Sequence, residues 1–309
     1  MTTEHIRKEH LMDPQPFFFG NAGGTCKTLE DVKKLATRTD VTHIEVGSIT
    51  WEDRPGNVGD ILWLRTDGTS VNALGMNNGG AQYYRRVLPE MIEIAHAHGK
   101  KLGVNIAAID QGDTEKLCQL CVEARVDFIT FNGGCPNVWV QGRQKKIISH
   151  DPRGLERELK DIFAVVGYRI IDVHMKLTLF AEKHELRREV ASVLKPWVVT
   201  LLTTNTKPST SLIREDGKPA ISFRSDDQVI NVGGMGGTEL RPYAEQELRE
   251  FHTLLPHHPI ISVGAISEGQ HLYDRLKMGA IGGQVGTAYF FTEDPHVFGH
   301  ILTGYANLI

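Results

Sequence analysis

Short apolar runs alternate with longer stretches of helical periodicity along almost the whole chain. Runs of strand character fall at residues 17–22, 42–48, 101–107, 127–132, 170–177, 198–204, 259–265 and 281–286. Most are continuously apolar rather than strictly alternating, the pattern of parallel strands buried on both faces. Between them, apolar positions recur every three or four residues. Leu29, Val32 and Leu35 follow Thr28, an N-cap candidate with Asp31 three residues on. Val87, Met91, Ile94 and Ala95 mark the next helix, which Gly99 stops. Leu117, Leu120, Cys121 and Ala124 mark another. Leu155, Leu159, Ile162, Phe163 and Val166 form a stripe closed by Gly167, and Ala244, Leu248, Phe251 and Leu255 form one more. Eight strands alternating with about eight helices predict an α/β chain folded as a single (β/α)8 TIM barrel, with a doubly wound open sheet as the alternative. One domain over residues 1–309 is expected. The long connections 49–80 and 206–238 both follow strand ends, where barrel enzymes build their sites.

Composition narrows the function classes. The formal net charge is −4 with His neutral, which gives no electrostatic reason to expect a nucleic-acid partner. No apolar run approaches the ~20 residues of a membrane span. Residues 1–15 lack a secretory apolar core and an obvious amphipathic anchor, so no membrane partner is expected. Four cysteines in 309 residues, without a signal peptide, read as reduced thiols of a cytoplasmic protein.

Polar and Gly-rich sequence collects after the strands: Asn21-Ala22-Gly23-Gly24, Asn132-Gly133-Gly134-Cys135-Pro136-Asn137, Thr204-Asn205-Thr206, Gly264-Ala265-Ile266-Ser267 and Gly286-Thr287. In a barrel these loops converge on one mouth. Backbone N–H groups after the last two strands can cradle a phosphate, or the glycines can serve only as turns. Cys135 stands in a polar loop rather than an apolar stripe. As a thiolate it can take a proton; the alternative is a small turn residue. Lys176 ends an apolar strand, where its cation can face the mouth or remain a solvated strand-end lysine. Asn72, Asn132 and Asn205 add amides suited to a flat heterocycle with C=O and N–H groups, or satisfy local backbone. Cys118 and Cys121 have no second pair to complete a zinc site and read as structural. The 14 histidines form no metal-ligand pattern, so no metal is assigned.

In this order the segments resemble the dihydroorotate dehydrogenase family, from about residue 17 to about residue 300. Asn21 to Gly24 is similar to that family's first flavin-contacting loop. Glu45-Val46-Gly47-Ser48-Ile49-Thr50 with Pro55-Gly56-Asn57 resembles its second strand and following loop. Val71 to Asn78 resembles the substrate-side Asn segment, and Asn132 to Asn137 the loop with the catalytic base. Lys176, Asn205-Thr206, Gly233 to Gly237, Gly264 to Ile266 and Gly286-Thr287 resemble the remaining positions. The resemblance implies FMN as cofactor, held by Ala22, Gly23, Ser48, Asn132, Lys176, Gly237, Gly264, Gly286 and Thr287. It implies a pyrimidine substrate on Asn72, Asn132, Asn137, Asn205 and Thr206, with Cys135 as the catalytic base. It further implies oxidation of dihydroorotate in pyrimidine biosynthesis, reoxidation by a second, unidentified electron acceptor, and a homodimer. A Cys at the base position is similar to the soluble class.

The chain departs from the pattern at Gly47, where the soluble class carries a Lys, and at Cys26, near the membrane-linked class's Lys. Lys27 lies one place further on and is the candidate substitute. Val58-Gly59-Asp60 replace the usual Pro and Arg after Gly56-Asn57. Three other readings stay open. A different FMN-dependent dihydropyrimidine oxidoreductase would need no carboxylate partner. A tRNA-dihydrouridine synthase shares the Asn-x-Gly-Cys-Pro loop, but the negative charge and the absent RNA-binding helical domain speak against it. A non-catalytic barrel would bind no flavin.

Overall fold

The eight apolar runs become eight parallel strands of one closed barrel: β1 (Phe18–Asn21), β2 (His43–Ile49), β3 (Lys101–Ile106), β4 (Phe128–Asn132), β5 (Asp172–Lys176), β6 (Thr200–Thr203), β7 (Ile260–Val263) and β8 (Gly282–Val285). Neighbours around the barrel are neighbours in sequence, and β8 closes on β1 with Phe18 opposite Gly282. This is a computed structural model that describes residues 17–140, 143–167, 171–225, 227–291 and 294–309. The N-terminal stretch 1–15 and Ile170, the first residue of the fifth expected strand, lie outside the described residues.

Each strand is followed by a helix, as the periodicity requires: α1 (Leu29–Ala36), α2 (Gly80–Ala97), α3 (Asp113–Ala124), α4 (Pro152–Val166), α5 (His184–Leu194), α6 (Arg241–Leu254) and α7 (Gly269–Lys277). After β8 come the short α8 (Thr287–Phe291) and α9 (Val297–Ala306). Local chemistry sets their ends. Thr28 caps α1 through the Asp31 N–H while the Asp31 carboxylate accepts the Thr28 N–H, a complete capping box. Gly167 takes φ +57° at the end of α4, where an L side chain is strained. The α4 stripe buries Leu155, Leu159, Ile162 and Val166 against the barrel, at roughly 1.5–3 kcal/mol per fully buried side chain. In α2 the inward stripe is rotated slightly from the expected one: Tyr84, Leu88, Met91 and Ala95 are buried, whereas Val87 and Ile94 sit half-buried at its edge. No helix among the described residues is long and apolar enough to cross a membrane.

Side-chain alternation splits the core into an outer layer between strands and helices and an inner filling. Ile44, Val46, Leu102, Val104, Ile129 and Met175 belong to the outer layer. At the N-terminal end of the inner filling, Phe18 stacks on His43 at 4.0 Å between ring centroids and Phe128 on His174 at 4.6 Å. Gly103 makes room for this floor, since an added Cβ would stand 2.1 Å from the Phe128 ring. Above it the filling turns polar, around Glu45.

The two long connections are not loops. Leu62–Leu64, Thr69–Asn72, Gly233–Gly237 and Lys207–Thr210 form a four-stranded antiparallel sheet beside the barrel mouth, with Gly234 opposite Asn72. Gly59–Asp60, Ser222–Ser225 and Gln228–Ile230 form a three-stranded one. Val71, Ile221, Phe223, Ile230 and Met235 give these sheets a core of their own, shared with Leu240 and Ala244.

Candidate active site

A cleft of about 1050 Å³, counting its open mouth, lies at the C-terminal ends of the strands. All the residues expected to hold cofactor or substrate, and Cys135, line it. Ala22 and Gly23 come from the end of β1, Ser48 from β2, Asn132 from β4 and Lys176 from β5. Cys135 and Asn137 stand on the loop after β4. Asn205 and Thr206 follow β6, Gly264 follows β7, and Gly286 and Thr287 follow β8. Asn72 and Gly237 reach in from the antiparallel sheet. Lys27 lines the cleft as well. Leu62, Met76, Leu240, Val263 and Phe290 give it apolar surface, and none of these five was a site residue expected from the sequence.

The polar walls are tied together by amides. Asn137 Nδ2 donates to Asn72 Oδ1 at 2.9 Å, and Asn72 Nδ2 donates to the Gly234 carbonyl at 3.3 Å. Asn205 Nδ2 donates to Asn132 Oδ1 at 3.2 Å, and Asn132 Nδ2 donates to Ser48 Oγ at 2.8 Å. Ser70 and Thr287 hydroxyls meet at 3.0 Å beside Gly236, whose missing Cβ would come within 2.9 Å of the Thr287 hydroxyl.

Three ionisable groups set the electrostatics. Burial pushes the Cys135 thiol up, against the Asn137 backbone hydrogen bond and the positive charges of Lys176, Arg54 and Lys27, which pull it back. Burial lowers Lys176, and the negative charges of Glu45 and Cys135 oppose that. Lys176 is 4% exposed, and its ammonium makes no hydrogen bond or ion pair among the described residues. Lys27 Nζ donates to the Asn77 carbonyl at 2.9 Å and to Asn77 Oδ1 at 2.6 Å, and burial lowers it to about 8.

The departure at position 47 has a structural cause. Gly47 takes φ +115°, and an added Cβ would stand 2.5 Å from the Asn105 carbonyl oxygen. In this backbone an L side chain would be strained and would crowd that oxygen. Gly47 instead pairs with Cys26, whose carbonyl accepts the Gly47 N–H at 2.9 Å, so Lys27 enters the cleft one residue beyond that bridge.

The cleft holds two buried polar atoms without partners among the described residues, Asn137 Oδ1 and Thr204 Oγ1. With the unpaired Lys176 and the N–H groups opening α8, they make a donor and acceptor set suited to a flat anionic ligand with a phosphate tail. The other cysteines play no part. Cys26, Cys118 and Cys121 are fully buried, and burial raises all three thiols, Cys118 to about 12. Among the described residues no cluster of three His, Cys, Asp or Glu is placed to hold a metal ion.

Sequence reasoning missed Glu45, a carboxylate at the centre of β2 with no exposed surface. It accepts from Asn105 Nδ2 at 2.8 Å, Thr130 Oγ1 at 2.9 Å and Gln284 Nε2 at 2.8 Å. A carboxylate between Ile44 and Val46 in a strand-like run was the available signal.

The family model described as dihydroorotate dehydrogenase matches residues 14–309. Dihydroorotate dehydrogenase A (fumarate) of Lactococcus lactis subsp. cremoris (strain MG1363) is 27% identical over 288 residues, covering 92% of this chain and 88% of that one. Dihydroorotate dehydrogenase (quinone) of Clavibacter michiganensis subsp. michiganensis is 27% identical over 292 residues, covering 91% and 78%. Among solved structures, DHODH in complex with ferulenol from Eimeria tenella superposes with a TM-score of 0.76 at 19% identity, covering 94% of this chain and 80% of that one. That last likeness concerns the fold.

Proposed function

The chain belongs to the dihydroorotate dehydrogenase family, and from that premise we propose that it is an FMN-dependent enzyme oxidising dihydroorotate to orotate in pyrimidine biosynthesis. As a family member it is an oxidoreductase acting on a CH–CH bond. The observation that carries the finer reading is the buried, unpartnered ammonium of Lys176 facing the same cleft as the Cys135 thiol.

Gly264, Gly286 and Thr287 would hold the phosphate, and Ala22, Gly23, Ser48, Asn132 and Gly237 the rest of the cofactor. Bound flavin supplies the two-electron acceptor for a hydride from the substrate. Lys176 sets a fixed positive charge where negative charge develops. Asn72, Asn132, Asn137, Asn205 and Thr206 present donors and acceptors to the pyrimidine ring. Cys135, as the thiolate, removes a proton from the ring carbon next to the one that loses hydride. Lys27 takes the place of the cation missing at Gly47 and faces the substrate carboxylate. One barrel domain over residues 1–309, assembled as a homodimer in the cytoplasm, completes the reading; light scattering tests the dimer.

The names of the relatives give two acceptors, fumarate and quinone, and we propose a small-molecule acceptor of one of these kinds. A second reading, a dihydropyrimidine oxidoreductase without carboxylate recognition, draws on Gly47. Anaerobic stopped-flow separates the two. Dihydroorotate should reduce the flavin at least tenfold faster than dihydrouracil. The reverse order supports the second reading, and colourless protein that takes up no FMN ends both.

A further inference from the structure

We propose that Glu45 is a positioning residue: it fixes the direction of a hydrogen-bond chain running from the barrel interior to Ser48 and Asn132 in the cleft, and so decides which atoms those two side chains present to a ligand. A carboxylate can only accept. Glu45 lies fully buried at the middle of β2, forms no ion pair among the described residues, and is satisfied by three neutral donors from β3, β4 and β8.

The consequence is directional. Asn105 must turn its Nδ2 towards Glu45, which leaves its Oδ1 facing Ser48. The Ser48 hydroxyl has one proton and donates it to Asn105 Oδ1 at 2.5 Å. Its lone pairs are then open, and Asn132 Nδ2 donates to them at 2.8 Å. Asn132 therefore turns its Oδ1 the other way, where it accepts from Asn205 Nδ2 at 3.2 Å. At the far end the Thr206 N–H donates to Asn205 Oδ1 at 2.9 Å, in the same sense. Every link agrees with an acceptor-only group at the root. A neutral amide at position 45 could donate or accept, so the root would no longer oppose a reversed chain, and only the donor-only Thr206 N–H at the far end would still hold the direction.

The carboxylate also lies directly beneath the cleft. The backbone of Gly23 packs over it so closely that an added Cβ would stand 2.4 Å from Oε1. The root of the chain and the cofactor-facing loop after β1 are thus in contact.

This inference rests on the flavin reading, which supplies the probe. The test is a double-mutant cycle on apoprotein titrated with FMN, read by quenching of flavin fluorescence. Glu45→Gln should weaken FMN binding by about tenfold, the scale of a hydrogen bond to a charged group. Ser48→Ala should weaken it by a similar factor. In the Ser48→Ala background, Glu45→Gln should cost less than about twofold more, because the chain is already cut. Unchanged affinity in Glu45→Gln, or losses that multiply in the double variant, would overturn the proposal, since a residue needed only for packing would add its cost independently. Asn105→Ala cuts the same link with Glu45 in place. It should show the same non-additivity with Ser48→Ala, and serves if Glu45→Gln does not fold. Wild-type protein that takes up no FMN removes the cofactor reading and this inference together; FMN binding with multiplying losses removes only the inference.

Discussion

The thiol of Cys135 sits between opposing effects. Burial favours the neutral form, while the Asn137 N–H and three nearby cations favour the thiolate. Since burial wins, the thiolate is the minor form at neutral pH, and its fraction grows tenfold per pH unit below the thiol's own value. The rate of flavin reduction should therefore climb with pH across the neutral range. Cys135→Ser should keep its FMN and slow reduction by ~100-fold or more, because an untuned hydroxyl is a far poorer base. A variant as fast as the parent in anaerobic stopped-flow would remove the thiol from the reaction. The place of Cys135 in the cleft could be read from sequence because it breaks the pattern: a cysteine among Gly, Pro and Asn after an apolar strand. Glu45 broke the pattern too, yet its meaning depended on Asn105, Thr130 and Gln284, which come from three other strands.

Helix packing shows the same division. The stripe of α4 and the cap of α1 are local and were legible. The join between α5 and α6 was not. There Arg187 and Glu247, each 1% exposed at the side chain, pair through Nε to Oε2 at 3.0 Å and Nη2 to Oε1 at 2.9 Å. Glu247 Oε1 also accepts the N–H groups of Phe180 and Ala181, fixing the loop after β5. Removing one partner strands the other in the interior, so Glu247→Ala should cost roughly 3–5 kcal/mol in urea unfolding. A loss below about 1 kcal/mol would show the pair to be dispensable. The antiparallel sheet was hidden for a different reason. Gly233 to Gly237 has poor strand propensity, and its partner, Thr69–Asn72, lies more than 160 residues away in the chain.

Across the whole molecule, the closed barrel locks two histidines into its floor. Burial lowers His43 to about 4 and His174 to about 3, so both are neutral when folded. Above pH 6.5 neither the folded nor the unfolded state protonates them, and they contribute no pH dependence. As pH falls below 6.5, the unfolded chain gains protons that the fold refuses, and stability drops by up to about 1.4 kcal/mol per pH unit for each histidine. The loss should level off below about pH 3, once both states carry the protons. Urea midpoints measured from pH 7 to pH 4 should fall steeply in the parent and less steeply in His174→Phe. Parallel slopes would show that the buried histidine does not drive the acid sensitivity.

Periodicity alone determined the order of strands and helices, because parallel strands buried on both faces and helices buried on one leave patterns that need no partner to be seen, while the choice of a closed barrel over an open sheet was settled by β8 pairing with β1. The loops that line the cleft were legible for a similar reason, since polar residues and glycines stand out against apolar runs. What only the tertiary structure decided was everything made by side chains meeting across the barrel: the neutral donors around Glu45, the entry of Lys27 beside a position where a side chain would be strained, and the sheet roofing the cleft. Such contacts depend on the distance and direction between segments far apart in the chain, and one sequence read along its length contains neither.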